Sequence, residues 1–236
     1  MTLSQFNLTS PSIRTVDDMR AVLYSPSAIY DKPLYFMYRE VSRNETDHTW
    51  MRSHAIRYDV TIIPPANLDG EYVKTKGHFH PENPAGIGYP EIYEVLDGIA
   101  HFLLQTKSLN DVILIEALKG DITVIPPGYG HVTINPTLDE TLTMANLVST
   151  AFSSEYEFYE KMHGATYYEM VGGTIQKNPA YPQVPRLQRT ERISLKFSNH
   201  VIGNSLYDFI GNDWIGYVLN NPENYTDFFS GQFSMP

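Results

Sequence analysis

The stretch TKGHFHPENPAGIGYPEIYEVLDG, residues 75–98, decides how the chain is read. Two histidines stand one residue apart, His78 and His80. A Pro/Gly-rich loop follows, and Glu91 then opens an apolar run. Side chains alternate along a strand, so His78 and His80 share a face and can share a metal ion. Glu91, at the start of the next strand, can supply a third ligand. Glu82 is a rival, but it lies in a loop bounded by prolines. A fourth ligand comes from GDITVIPPGYGHVTIN, residues 120–135. There the Pro126-Pro127-Gly128 turn precedes His131, which re-enters a strand with Thr133 and Asn135 on its own face.

The composition narrows what such a site can be. With no cysteine in 236 residues, any metal must take N and O ligands. The net charge is −10 and no basic block occurs, which argues against nucleic acid or an anionic membrane as partner. No apolar run reaches the roughly 18 to 20 residues that cross a bilayer. MTLSQFNLTSPSIRT has no basic segment followed by an apolar one, so no secretory signal is expected and the cytoplasm is the expected compartment.

Outward from the two histidine segments the pattern is one of short strands. PLYFMYREV (33–41), HAIRYDVTII (54–63), YVKTKGHFH (72–80), IYEVLDG (92–98), IAHFLLQT (99–106), DVILIEAL (111–118), DITVIPPG (121–128), HVTINPT (131–137) and residues 142–148 are separated by turn chemistry. This spacing argues for a closed β-sandwich or barrel. VDDMRAVLY (16–24) has helical spacing, and SSEYEFYEKMHG (153–164) reads as a surface helix. ATYYEMVGGTIQKN (165–178) reads as strand, Gly-Gly turn, strand. PAYPQVPRLQR (179–189) should be extended. Leu206, Phe209, Ile210 and Trp214 recur at helical steps. The expected division is a lead-in over 1–30, a barrel over 31–190, and a C-terminal extension over 191–236 that packs on the barrel or on a second subunit.

The two histidine segments resemble the paired motifs of the cupin family. His78, His80, Glu91 and Gly98 stand at the positions of the first motif. Gly120, Pro126, Gly128, His131 and Asn135 stand at those of the second. The loop PENPAGIGYP (81–90) is longer than the family's usual spacer, and it suits a lid over the site as well as a passive loop. The resemblance implies an all-β cupin (jelly-roll-like) β-barrel with N-terminal strand and helix additions and a partly helical C-terminal extension. It also implies one divalent metal ion per subunit on His78, His80, Glu91 and His131. Fe²⁺ is the first choice, with Mn²⁺, Ni²⁺, Co²⁺ and Zn²⁺ as alternatives.

RYDVTIIPP (57–65), the Thr-Lys-Gly-His-Phe-His core, the Pro-Glu-Ile-Tyr strand and the Leu-Leu-Gln strand end narrow the resemblance. Over roughly residues 30–150 the chain closely resembles cupin-type glucose-6-phosphate isomerases of archaea and some bacteria. That resemblance implies an aldose–ketose isomerase of glycolysis and gluconeogenesis, acting on a small sugar phosphate as a homodimer. Thr61, Thr75 and Gly77 match phosphate-contacting positions, and Lys76 can add charge. Tyr93 and Tyr89 match active-site tyrosines. Glu91 is the base of a cis-enediolate path, or only a ligand if a hydride shifts. Val148 and Ser154 stand where better-known members carry a tyrosine and a histidine, and Tyr156 or His163 is the replacement on offer. Competing readings are an isomerase of a related sugar such as mannose 6-phosphate or an unphosphorylated aldose, a non-catalytic cupin that binds a sugar phosphate, and an oxygen-consuming cupin dioxygenase.

Overall fold

The computed structural model describes residues 3–8, 10–191 and 205–230. Its elements run β1 (Ser12–Arg14), α1 (Val16–Met19), β2 (Tyr35–Tyr38), α2 (Glu45–Ser53), β3 (Ile56–Ile63), β4 (Asn67–Leu68), β5 (Glu71–Tyr72), β6 (Glu91–Asp97), β7 (Ile99–Thr106), β8 (Val112–Leu118) and β9 (Ile122–Ile125). Then come β10 (Tyr129–Ile134), β11 (Leu142–Ser149), α3 (Glu157–Lys161), β12 (Tyr167–Glu169), β13 (Ile175–Lys177), β14 (Gln188–Glu191), α4 (Asp213–Asn220) and α5 (Thr226–Ser230). The strand readings between residues 92 and 148 all fall on observed strands.

Two sheets face each other, in the order β1-β2-β3-β11-β6-β9 and β10-β7-β8-β14. Their inner faces meet in one apolar core, with Ile63, Val95 and Met144 on one side and Phe102, Ile115 and Val132 on the other. The Tyr93 and Phe102 rings pack across it at 5.2 Å. The large sheet is covered on its outer face too. There Tyr58, Val60, Ile92 and Leu147 pack against Met51 of α2 and Ile215, Val218 and Leu219 of α4. Burial on both faces explains why β6 and β11 read as near-continuous apolar runs rather than as an alternation.

The architecture is the expected cupin-type, jelly-roll-like β-fold, but the barrel is not closed. Among the described residues no ladder joins one sheet to the other. The segment YVKTKGHFH, expected as a strand, is regular only where Tyr72 ends β5. Beyond that it touches β10 through isolated bridges at Lys74–Ile134 and His78–His131. Gly77 interrupts strand geometry between the two bridges. It sits at φ +78°, a left-handed conformation that breaks strand geometry.

Other differences are local. α2 was not anticipated, although Asn44 caps it by accepting the Asp47 N–H at 2.9 Å. Met51 is its only fully buried residue, so the helix carries too weak an apolar stripe to read. The extended segment after Pro179 ends as β14, which pairs in parallel with β8. The helical reading of 16–24 corresponds to α1 followed by a 3₁₀ turn over Arg20–Val22. In the C-terminal part, Leu206 and Phe209 are buried in a 3₁₀ turn, and α4 follows on the outer face of the large sheet. Residues 192–204 and 231–236 of the expected extension lie outside the described residues.

Candidate metal centre

His78, His80, Glu91 and His131 converge, with one potential ligand atom from each lying within 4.8 Å of the others. β6 delivers Glu91 and β10 delivers His131, from opposite sheets. His78 and His80 arrive on the irregular segment after Gly77, which bridges to β10 at His78–His131. His78 Nε2 stands 3.1 Å from His80 Nε2. Glu91 Oε2 is 3.4 Å from His80 Nε2 and 3.3 Å from His131 Nε2. Ligand atoms about 2.1 Å from a common ion would stand roughly 3.0 to 3.4 Å apart, so this spacing suits a first-row divalent ion. Glu82 lies exposed in the loop, outside the cluster.

The electrostatics agree with that use. Burial drives the His78 imidazole well below its usual pKa, and the neighbouring His131 and His80 push it the same way. Burial lowers His131 as well, against the pull of Glu91. For Glu91, burial works to raise the pKa, but the adjoining His131 and His80 rings outweigh it and hold the carboxyl well below its usual range. Neutral imidazoles and an ionised carboxylate are the metal-binding forms. Glu91 Oε2 is buried with no hydrogen-bond partner among the described residues. A deprotonated, unpartnered carboxylate oxygen facing three imidazole nitrogens is costly without a cation.

A second layer of contacts orients the cluster. His80 Nδ1 donates to the Tyr89 carbonyl at 2.9 Å, leaving Nε2 for an ion. Asn146 Nδ2 donates to Glu91 Oε1 at 2.6 Å, which aims Oε2 at the histidines. Phe152 packs on the His80 ring at 4.4 Å and stacks on Tyr89 at 4.8 Å. Tyr93 Oη is 3.1 Å from His131 Nε2, and burial, reinforced by Glu91, pushes its hydroxyl well above the usual phenol range. Tyr93 therefore keeps its proton.

His78, His80 and Glu91 of the cluster line a pocket, and His131 lies outside its wall. Thr61, Thr75, Lys76, Gly77 and Tyr93 all line it. Thr75 Oγ1 accepts the Thr133 N–H at 2.9 Å, which leaves the hydroxyl proton for a ligand. Lys76 Nζ pairs with Glu160 at 2.6 Å. Tyr89 enters differently: its carbonyl meets His80, while its ring stacks on Phe152 and is not part of the pocket wall. Val148, Ser154 and Tyr156 line the pocket, and the Tyr156 ring lies 5.5 Å from that of His78. His163 is not among the lining residues.

Sequence reading missed Asn146, Arg39, Arg57 and Asp59. Period two along HAIRYDVTII places Arg57 and Asp59 on the face of Thr61, and that signal was there to use. Asn146 shares the inner face of β11 with Met144 and Val148 for the same reason.

Comparison with known proteins adds the family. Residues 13–186 match the family model described as glucose-6-phosphate isomerase (GPI). Over 80 residues the chain is 34% identical to the glucose-6-phosphate isomerase of Thermococcus litoralis, covering 34% of this chain and 40% of that protein. The enzyme of the same name from Thermococcus gammatolerans is 27% identical over 128 residues, or 52% of this chain and 61% of the relative. The aligned stretches thus span less than two thirds of these relatives. Among solved structures, an oxalate oxidase is 15% identical with a TM-score of 0.39, covering 52% of this chain and 55% of that one. An oxalate decarboxylase of Bacillus subtilis is 18% identical with a TM-score of 0.38, covering 54% of this chain and 29% of that one. With the family model matched over well more than half of its length, this chain belongs to the glucose-6-phosphate isomerase (GPI) family.

Proposed function

We propose that this protein is a metal-dependent aldose–ketose isomerase that interconverts glucose 6-phosphate and fructose 6-phosphate. One observation carries the reading. His78, His80, Glu91 and His131 converge beside a pocket that also presents Thr61, Thr75 and Gly77, with Glu91 Oε2 buried and without a hydrogen-bond partner among the described residues. Bound to His78, His80, Glu91 and His131, a divalent ion would supply Lewis-acid stabilisation of the negative oxygen that develops when hydrogen moves between C1 and C2. Fe²⁺ is our first choice.

The chain's own residues do the rest. Thr61, Thr75 and the backbone at Gly77 present small donors for the phosphate, with Lys76 adding charge. Tyr93 holds a proton beside the reacting carbons and donates a hydrogen bond there. Glu91 Oε1 is engaged by Asn146, so Glu91 acts as base only through the remaining lone pair of that oxygen. If hydride passes directly between the carbons, Glu91 serves only as a ligand. Tyr156 takes the place left by Val148 and Ser154, and Tyr89 acts through its carbonyl. We read the protein as a cytoplasmic homodimer with its site in the 31–190 unit, between a 1–30 lead-in and a 191–236 extension.

The test is a coupled assay on chelator-stripped protein given Fe²⁺, Mn²⁺, Ni²⁺ or Zn²⁺ in turn. Metal-restored formation of glucose 6-phosphate from fructose 6-phosphate is expected. Absence of turnover with every metal, from protein shown to bind one, sinks the activity. Mannose 6-phosphate and an oxygen electrode, run in parallel, report on a related sugar and on a dioxygenase. Uptake of solvent deuterium at C2 separates the base path from the hydride path.

A further inference from the structure

The pocket wall built by β2 and β3 carries a charged group that the isomerase reading leaves unused. Asp59 is wholly buried, at 0% exposure. Its Oδ2 accepts from Arg39 Nη1 at 2.6 Å and from Arg57 Nε at 2.7 Å, and its Oδ1 accepts the Glu40 N–H at 2.9 Å. One carboxylate thus holds two guanidinium groups, and both arginines line the pocket. Lys76, the third cation there, has its own partner in Glu160. The Arg39–Asp59–Arg57 group therefore carries an excess positive charge, in a chain whose net charge is −10.

The donor count points the same way. Arg57 spends only Nε on Asp59, and Arg39 spends Nη1 on Asp59 and Nη2 on the Met37 sulfur. Both Nη groups of Arg57 and the Nε of Arg39 donate to no described residue. Burying an aspartate to fix two planar forks is costly, and a buried ion group is weak evidence for stability alone. What it does well is orient guanidinium donors for a carboxylate or phosphate.

Strand register sets this group apart from the Thr61 cradle. Arg57 lies four residues before Thr61, about 13 Å along β3. Across the sheet, Arg57 is opposite Val148 and Val148 is opposite Glu91, so Arg57 and Glu91 stand two strands or about 10 Å apart. A phosphate held by Thr61 and Gly77 leaves the Nη groups of Arg57 without a ligand anion.

We propose that Arg39 and Arg57 form an oxyanion subsite in the metal pocket, distinct from the Thr61–Thr75–Gly77 cradle, that takes a second phosphate or carboxylate carried by the ligand. The sugar skeleton joining the two anionic ends rests on the reading above; the charge argument does not. The pocket is then shaped for a doubly anionic sugar derivative as well as for a hexose monophosphate.

Calorimetric titration of the metal-loaded full chain tests this. The probes are fructose 6-phosphate, 6-phosphogluconate, which adds a carboxylate to the open-chain sugar, fructose 1,6-bisphosphate, which adds a phosphate, and inorganic phosphate. R57Q leaves Arg39 to hold Asp59. The triple variant R39Q/R57Q/D59N removes the charges without stranding a buried carboxylate, so a poorly folded R57Q does not end the experiment. Each variant should weaken at least one doubly anionic probe by about 10- to 100-fold, the scale of charge-assisted hydrogen bonds. Fructose 6-phosphate should shift by less than about threefold, the difference between one anchored anion and two. Which doubly anionic probe responds tells carboxylate from phosphate. Equal losses for fructose 6-phosphate and the doubly anionic probes would overturn the proposal, because the arginines would then hold the single phosphate. Unchanged affinities for all probes would overturn it too, leaving the arginines as partners of Asp59 only. If no sugar phosphate binds the wild type, the isomerase reading falls and inorganic phosphate decides the subsite: weaker binding in the triple variant keeps it, unchanged binding removes it.

Discussion

Asn83 Nδ2 donates to Glu223 Oε2 at 2.7 Å, a bond that ties the loop between two of the candidate metal ligands to the C-terminal segment 140 residues away. Asn83 is itself a fixed point of that loop, since its Oδ1 accepts the N–H groups of Ala85 and Ile87 at 3.0 and 3.1 Å. The same loop ends at Tyr89, whose carbonyl orients His80. The C-terminal segment therefore reaches the metal cluster through three hydrogen-bonded steps. We expect Glu223→Ala to loosen the loop and weaken binding of Mn²⁺ by about tenfold, as outer-layer partners of metal ligands commonly do. Chelator competition on the purified protein measures this. An unchanged affinity would mean that the loop holds its shape without the tail.

Asn146 is the partner of the Glu91 oxygen that faces away from the histidines. Replacing it by alanine leaves Oε1 buried without a donor and frees the carboxylate to rotate. A lost bond to a buried charged group costs about 1–3 kcal/mol, which for a chain of this size lowers Tm by roughly 2–10 °C. Asn146→Ala should also lower metal affinity. Differential scanning calorimetry with and without Mn²⁺ checks both, and a loss of stability larger in the metal-loaded protein is the expected signature.

Gly77 should tolerate no side chain. A Cβ there would lie 2.6 Å from Val132 Cγ2 and 3.0 Å from a Tyr159 ring carbon, at a φ of +78°. Overpacking and the left-handed backbone each cost about 1–3 kcal/mol. Gly77→Ala should therefore destabilise the fold and displace His78, its neighbour in the chain. Urea denaturation reads the first effect and metal stoichiometry the second. A wild-type midpoint would show that Val132 and Tyr159 yield more easily than their burial suggests.

His101 gives the fold a pH-dependent tie outside the metal cluster. Burial works against its charge, but the bonds to Glu169 at 2.8 Å and to Glu116 at 3.3 Å outweigh it and raise its pKa. A raised value means that the folded state holds the proton more tightly than the unfolded one. The stabilisation is then complete below the ordinary histidine value of about 6.5 and disappears as pH rises through the higher folded value. We expect His101→Gln to cost about 1–2 kcal/mol at pH 5.5, discounted for the exposure of Glu116, and close to nothing at pH 9. Denaturant titrations across that range are the check. A penalty that stays constant with pH would show that packing, rather than charge, is what His101 contributes.

The sequence by itself singled out the candidate ligand set. His78, His80, Glu91 and His131 are legible because turn residues punctuate the strands and period two assigns each side chain a face. Glu91 is preferred to Glu82 because Glu82 sits in a loop bounded by prolines, while Glu91 stands at the first motif's distance from Gly98. Local chemistry of this kind is written within a few residues. The tertiary structure alone decided how those faces meet. It left the two sheets without a joining ladder among the described residues, and it made the segment around Gly77 irregular where a strand was expected. It added β14 beside β8 and α2 over the large sheet, neither of which has a strong periodic signal of its own. It committed one Glu91 oxygen to Asn146 and the other to the histidines, gathered Arg39 and Arg57 on Asp59, and joined Asn83 to Glu223. Apart from Arg57 and Asp59, which share a face of β3, each of these partnerships links separate strands, loops or helices, so it exists only once the chain has closed, and no pattern along the sequence encodes it.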